Sequence, residues 1–332
     1  MFPTDSAVSM INVTKVFTQW QRDNTGKGML KNLLKPEKKT IIALDDVTLT
    51  IQVGEFVAYA GPNGAGKSTT MKLLSGMLLP TEGEMAVLSM SPQKDRRSLM
   101  NRLGVLFGNR TELWWDHPII QSFEWKKVVW GIPEKVYRDN LSLAVELLDL
   151  GGLLKTFARE LSLGQRMRAD LAMLLLHSPK LILLDEPTLG LDVVAKRQMI
   201  EFLKGINREN AVTVVVTSHD MDDLEEMAQR MIMISGGKIA YDGDFDGLRK
   251  MTGNQLRVVV TTDRERAPII NDAKLLSSEK GVHTFEMGAN ASIQSMMKSL
   301  STLDGILDVE MKKAPIEQVI AKLYERWSVT EA

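Results

Sequence analysis

The segment Gly61-Pro62-Asn63-Gly64-Ala65-Gly66-Lys67-Ser68 fits the pattern G-x-x-x-x-G-K-[ST], which can do phosphate chemistry. The glycines Gly61, Gly64 and Gly66 let successive backbone N–H groups converge on phosphate oxygens. A helix starting near Lys67 adds partial positive charge, Lys67 reaches the β and γ phosphates, and Ser68 can ligate Mg²⁺. A second candidate is Asp185-Glu186, which follows the apolar run Leu181–Leu184. Buried carboxylates need a cation or a proton, and Mg²⁺ held by Asp185 supplies the cation. Glu186, one residue further out, is then placed to orient and deprotonate an attacking water. Alone, this pair reads equally well as an acidic turn stopped by Pro187; beside the phosphate loop the chemical reading is stronger. His219 is the third. A lone histidine is more often a structural hydrogen-bonder, but at a strand's carboxyl end it can face a γ-phosphate.

These residues need a scaffold that brings strand ends together. Leu181–Leu184, Val212–Thr217 and Phe56–Ala60 are continuously apolar, as strands buried on both faces are. Helical patterns such as Gln165–Leu176 separate them, which predicts a mainly parallel sheet with helices on its faces and the ligand at its carboxyl edge. Arg230–Ile234 and Lys238–Tyr241 flank Ser235-Gly236-Gly237 and read as a β-hairpin. Beyond it, Gln255–Thr262 and Ile306–Met311 read as strands. Ile293, Met296, Met297 and Leu300 mark one amphipathic helix, and Ile316, Val319, Ile320 and Leu323 another. The expected organisation is an α/β domain over 1–243 and a small α+β domain over 244–332 with no chemical constellation of its own.

Length and composition set the outer bounds. The 332 residues suffice for about two domains. Hydrophobic residues at 44%, charged residues at 25%, 24 Gly and 11 Pro exclude disordered and collagenous classes. With 41 Lys+Arg against 42 Asp+Glu the net charge is -1, so nothing draws the whole chain to nucleic acid or anionic lipid. The absence of Cys removes disulfides, thiolate metal sites and cysteine nucleophiles. The apolar runs fall far short of the ~18 residues a membrane span needs, and the start carries no signal-peptide pattern, so any membrane role goes through a partner.

Leu161-Ser162-Leu163-Gly164-Gln165, upstream of Asp185, resembles the signature of the ATP-binding cassette (ABC) ATPases, usually L-S-G-G-Q. Other elements agree in order: Gly61–Thr69 resembles Walker A, Leu181–Glu186 Walker B, Leu189-Gly190-Leu191-Asp192 the D-loop, and Thr217-Ser218-His219-Asp220 the switch histidine. The resemblance covers roughly Ala7 to Gly243. It implies the P-loop ABC-ATPase fold, a mainly parallel sheet with antiparallel β and helical subdomains, the helical one at about 109–165. It implies ATP and Mg²⁺ as ligands, with Asn63, Thr69 and the other Walker A residues at the phosphates, and Ser68 and Asp185 at the metal. Phe17 matches the aromatic that stacks on adenine, or is an edge-strand core residue. Ser162, Gly164 and Gln165 would approach the γ-phosphate held by a second copy, so a homodimer or a related ATPase subunit is implied, and Asp192 of the D-loop is a further nucleotide-binding residue. Leu163 stands in place of the usual first signature glycine. Phe107-Gly108-Asn109 aligns with the Q-loop, where glutamine is usual; Asn109 keeps the carboxamide one methylene shorter and is expected to reach the metal through a water.

The Arg110–Pro118 segment, a basic insertion over 22–39 and the C-terminal unit look like ATP-binding subunits of ABC-2 type exporters, drug- or viologen-exporter-like. That resemblance implies a transmembrane permease partner and a peripheral place on the cytoplasmic face of the inner membrane. Arg22–Lys39 has six Lys/Arg and two acids, hence +4, and reads as a solvated loop or as a contact to anionic headgroups. Of the six Trp, four (Trp114, Trp115, Trp125, Trp130) are clustered. Two are expected in the core, with Trp114 and Trp115 at a protein interface. The alternatives left open are a polysaccharide exporter, an importer, and a soluble ABC ATPase acting on ribosomes or nucleic acid. The neutral charge and single cassette argue against the last, so no direct nucleic-acid partner is expected.

Overall fold

The computed structural model describes residues 5–21, 37–108, 111–252, 256–270, 273–287, 293–301 and 304–330. Asn109 and most of the basic insertion (22–36) lie outside them. The chain divides into two compact units, Met1–Asp242 and Gly243–Ala332.

In the first unit, β1 (Ser6–Gln21) lies antiparallel between β2 (Glu37–Gln52) and β4 (Glu82–Val87). The second sheet runs in the order β5-β6-β7-β3-β8-β9, with β3 (Phe56–Ala60), β5 (Leu103–Phe107), β6 (Leu181–Asp185), β7 (Thr213–Thr217), β8 (Arg230–Ser235) and β9 (Lys238–Asp244). Its first five strands are mutually parallel. Strands β3 and β7 are buried at every position, and β6 at all but Asp185. That is why they are apolar without alternation. Tyr59, Leu183 and Val215 of this sheet share one core with Met10, Leu44 and Ile51 of the other. Gly236 and Gly237 turn β8 into β9 with φ of 54° and 81°, the left-handed backbone the Gly-Gly pair is suited to.

The helices of this unit are α1 (Lys67–Leu74), α2 (Arg96–Met100), α3 (Ile119–Trp130), α4 (Glu134–Leu147), α5 (Leu163–Leu175), α6 (Val193–Asn210) and α7 (Met221–Met227). Strand β5 was not legible as a strand because Gly104 breaks its apolar run. Its glycine has a packing cause: a Cβ there would stand 2.6 Å from Leu174 of α5.

The second unit holds α8 (Phe245–Met251), β10 (Leu256–Thr262), β11 (Ala273–Glu279), β12 (Val282–Met287), α9 (Ile293–Leu300), β13 (Ile306–Lys313) and α10 (Ile316–Thr330). The strands form an antiparallel sheet, β11-β12-β10-β13, whose core joins Val258, Val260 and Phe285 to Met296 and Leu300 of α9. The hairpin β11–β12 escaped the sequence reading because β11 is almost wholly exposed and carries no apolar alternation. His283 is fully buried, 3.0 Å from Thr262 Oγ1 and 2.8 Å from Ser278 Oγ. Both ring nitrogens are thus used in tying three strands together. No helix among the described residues is long and apolar enough to cross a membrane.

Candidate active site

The phosphate loop joins buried β3 to α1, which begins at Lys67. Two of its glycines are fixed by close packing: a Cβ on Gly61 would lie 2.3 Å from the Ile234 carbonyl oxygen, and one on Gly66 2.6 Å from that of Ala43. Gly64, at φ +81° in open space, supplies the left-handed turn itself. Asn63 and Ser68 are exposed and Thr69 half-buried. Thr70, next in line, anchors the helix start by donating from Oγ1 to the Gly66 carbonyl (3.1 Å). Lys67 is buried, and its Nζ donates to the carbonyls of Gly61 (2.7 Å) and Pro62 (3.1 Å). Burial lowers its pKa, while the charges of Glu186 and Asp185 oppose that shift. The ammonium and the two carboxylates therefore share one electrostatic neighbourhood.

The carboxylates owe their placement to the parallel register of β6 and β7, which sets Asp185 opposite Thr217. The completely buried Thr217 hydroxyl donates to Asp185 Oδ1 (2.6 Å) and accepts from the Glu186 amide (3.1 Å), which also points at the Thr217 carbonyl (3.1 Å). Glu186 has φ +57°, a left-handed backbone that costs a side-chain-bearing residue roughly 1–2 kcal/mol. The Thr217 bonds hold that turn. It brings Glu186 Oε1 to 2.7 Å from His219 Nε2, both side chains remaining partly open to solvent. A carboxylate paired with an imidazole, with room for water and a lysine at hand, can activate water against a phosphoryl group. In the sequence Thr217 stands only as the end of an apolar strand and the start of the switch motif. Its part comes from a cross-strand pairing that no local pattern displays.

Ser162 caps α5: its Oγ accepts from the Gln165 amide (3.2 Å), and Gln165 Oε1 accepts from the Ser162 amide (2.9 Å). The Ser162 hydroxyl proton is not used in that capping box, so it can be donated to an anion. Asp192 caps α6 by accepting from the Ala195 amide (2.8 Å). Ser162, Gly164, Gln165 and Asp192 line one concavity of about 570 Å³, while Glu186 and His219 line another of about 180 Å³. The signature and the carboxylate pair are thus in different cavities of this chain. Leu163 fits over the D-loop: a Cβ on Gly190 (φ +74°) would be 2.8 Å from its Cδ2.

Phe17 is half-buried on β1 opposite Ile41 of β2, two residues from the Ala43 carbonyl that backs Gly66. Lys15 Nζ lies 5.2 Å from the centroid of its ring and donates to the Leu79 carbonyl (2.8 Å). Asn109 lies outside the described residues; its neighbour Gly108 donates its amide to the Asp185 carbonyl (2.8 Å). The donors suit Mg²⁺: an anionic carboxylate oxygen on Asp185 and an exposed hydroxyl on Ser68 are hard oxygen ligands. Among the described residues no group of three His, Cys, Asp or Glu could hold a metal, so phosphate oxygens and waters would complete the shell.

A model of the family described as "ABC transporter" matches residues 44–189. An uncharacterized ABC transporter ATP-binding protein of Bacillus subtilis, YhcH, is 31% identical over 254 residues, 76% of this chain and 81% of that protein. The chain belongs to the ABC transporter ATP-binding family. The methionine import ATP-binding protein MetN of Corynebacterium diphtheriae is likewise 31% identical, over 76% of each chain. A dimeric ATP-binding cassette in a post-hydrolysis state, bound to ADP and Pi, shares 25% identity at a TM-score of 0.58, over 71% of this chain and 98% of that one. The fold is the P-loop ABC ATPase fold, it binds ATP, and the chain is an ABC-type ATPase.

Between β5 and the signature of this ABC ATPase, three of the four tryptophans form a row that ends on His177, while Trp115 lies under the Arg166 guanidinium. Trp114 and Trp125 have ring centroids 5.4 Å apart, Trp125 and Trp130 6.3 Å, and Trp130 and His177 6.4 Å. None of the four is buried: Trp114, Trp115 and Trp125 are 37–48% exposed and Trp130 is half-buried. The expectation that two fill the core is therefore corrected. Ile119, Ser122, Phe123 and Lys126 take the buried face of α3, and the indoles lie beside it.

Proposed function

We propose that this chain is the ATP-hydrolysing subunit of an ABC-2 type exporter, peripheral on the cytoplasmic face of the inner membrane and coupled to a separate transmembrane permease. The observation that carries the hydrolytic role is the 2.7 Å contact between Glu186 and His219 at the end of β6, in the electrostatic neighbourhood of Lys67. In this reading Gly61, Asn63, Gly64, Gly66, Lys67 and Thr69 bind the phosphates of ATP and Phe17 stacks on adenine. Mg²⁺, held by Ser68 and Asp185 with Asn109 through a water, neutralises phosphate charge when bound. Glu186 takes the proton of the attacking water, and His219 holds Glu186 and the γ-phosphate in position.

The second half of the site comes from another copy of this chain or a related subunit. One chain carries one phosphate loop and one signature, and its signature lines a cavity apart from Glu186. Ser162, Gly164, Gln165 and Asp192 then face the partner's nucleotide. The permease docks on the tryptophan row, since exposed aromatics are the usual anchors of a desolvated interface. The basic insertion 22–39 supports that assembly at anionic headgroups. Residues 244–332 act as an accessory domain.

Import is the second reading, favoured by the likeness to a methionine import ATP-binding protein. Two experiments separate these claims. Glu186→Gln in the full chain should keep ATP binding and lose turnover. Co-purification from membranes should recover a permease without a solute-binding protein; a solute-binding protein in the complex would favour import.

A further inference from the structure

We propose that Lys196 is a positioning residue that couples the D-loop helix to the switch histidine. This inference rests on the reading of Glu186 and His219 given above and adds a component to it. Two segments run side by side at the end of the sheet, residues 186–196 and residues 217–223, joined by three rungs. Glu186 meets His219 at 2.7 Å, Thr188 Oγ1 meets Ser218 Oγ at 3.4 Å, and Lys196 Nζ meets Asp220 Oδ2 at 2.6 Å and Asp223 Oδ2 at 3.0 Å. Between them lies the cavity of about 180 Å³, lined by residues of all three rungs.

The third rung is built to transmit position. Lys196 sits in the first turn of α6, an 18-residue helix anchored by Met199, Ile200, Leu203 and Ile206 in the core, so it moves as part of a stiff rod. Asp220 follows His219 directly and caps α7 by accepting from the Asp223 amide (3.2 Å). Burial pushes the Asp220 carboxyl up, but the Lys196 hydrogen bond and charge together with the Asp223 and Asp222 amides hold it below its usual range, and the Lys196 ammonium is raised, chiefly by its hydrogen bond to Asp220. Both ends are therefore charged at neutral pH. The same helical turn exposes Val193 at 81% and Val194 at 67%, beside the signature cavity that the proposed second copy would cover. Pressure on those valines shifts the start of α6, and the ammonium passes the shift to Asp220 and so to His219. A contact as short as that between His219 and Glu186 is lost with a sub-ångström displacement.

The test is steady-state ATP hydrolysis by the full-length chain carrying Lys196→Met, with Lys196→Arg, Asp223→Asn and Glu186→Gln measured beside it. The expected result for Lys196→Met is a fall in kcat of tenfold or more with KM for ATP within twofold, beside a loss of thermal stability from the buried Asp223 carboxylate it leaves without its cation. Lys196→Arg should restore kcat to within threefold, and Asp223→Asn, acting on the same link from α7, should lower it in the same sense. A merely structural clamp would lower stability without splitting kcat from KM. Wild-type kcat in Lys196→Met, or an arginine variant as impaired as the methionine one, would overturn the inference. If Glu186→Gln is inactive while Lys196→Met is not, this inference alone fails; if Glu186→Gln turns over normally, the underlying reading of the site fails with it.

Discussion

Thr217 and Asp185 face each other across β6 and β7, with the Thr217 hydroxyl 2.6 Å from Asp185 Oδ1 and 3.1 Å from the Glu186 amide. One buried hydroxyl thus orients the proposed metal ligand and holds the backbone of the proposed base. Thr217→Val keeps the shape but strips Asp185 Oδ1 of its hydroxyl donor and leaves the Glu186 amide only the Thr217 carbonyl, which costs about 1–3 kcal/mol. Denaturant unfolding should show that loss, and kcat for ATP should fall at least tenfold. Thr217→Ser, which keeps the hydroxyl, should recover most of both.

His219→Ala should lower turnover by one to two orders of magnitude with a much smaller loss of ATP affinity, because the imidazole lies 2.7 Å from Glu186 and is one of many proposed contacts to the phosphates. Equilibrium binding of a fluorescent ATP analogue beside phosphate release separates the two effects. A matching loss of affinity would move His219 from the chemical step to nucleotide binding.

Leu163 and Gly190 are coupled through their sizes. Gly190→Ala adds a Cβ 2.8 Å from Leu163 Cδ2 on a φ of +74°, for an expected cost of about 1–2 kcal/mol. Leu163→Ala removes the clash but not the backbone strain. The double variant should therefore be more stable than additivity of the two single changes requires, and thermal unfolding of the four proteins closes the cycle.

Buried Asp170 and half-buried His177 titrate in opposite senses. Burial pushes the Asp170 carboxyl up to about 7, against its bonds from Thr111 and the Glu112 amide. Burial, with the Lys126 cation, pushes His177 down to about 4, against its bond to the Leu103 carbonyl. The folded chain thus holds Asp170 protonated where the unfolded chain would ionise it, and its contribution is lost as pH rises from about 4 through about 7. It holds His177 neutral where the unfolded chain would protonate it, and that contribution is lost as pH falls from about 6.5 to about 4. The two largely offset each other. Asp170→Asn should leave a protein that weakens on acidification across this window relative to wild type, and His177→Gln one that weakens on alkalinisation. Unfolding free energies at pH 5 and pH 8 decide it.

The chemistry was legible in the sequence where it is local. Gly61–Ser68 is a loop whose glycines answer to close packing and a left-handed turn, and Leu181–Asp185 and Thr213–Thr217 are apolar because both faces are covered. What could not be read depends on pairing across the sheet or on surface exposure. Thr217 and Lys196 act through partners far away in sequence, set by the β6–β7 register and by the packing of α6 on α7. Strand β5 was hidden by Gly104, and β11 by its exposure. The tryptophans, large and apolar, suggested a core that smaller residues of α3 fill instead.

The central claim is that Glu186 activates the attacking water in an ATPase whose phosphate loop is separately competent to bind. Its most direct test is Glu186→Gln in the full-length chain, assayed for Mg²⁺-dependent phosphate release and for ATP binding in the same preparation. The account predicts ATP affinity within about threefold of wild type and phosphate release reduced at least a hundredfold. Phosphate release at the wild-type rate would contradict it.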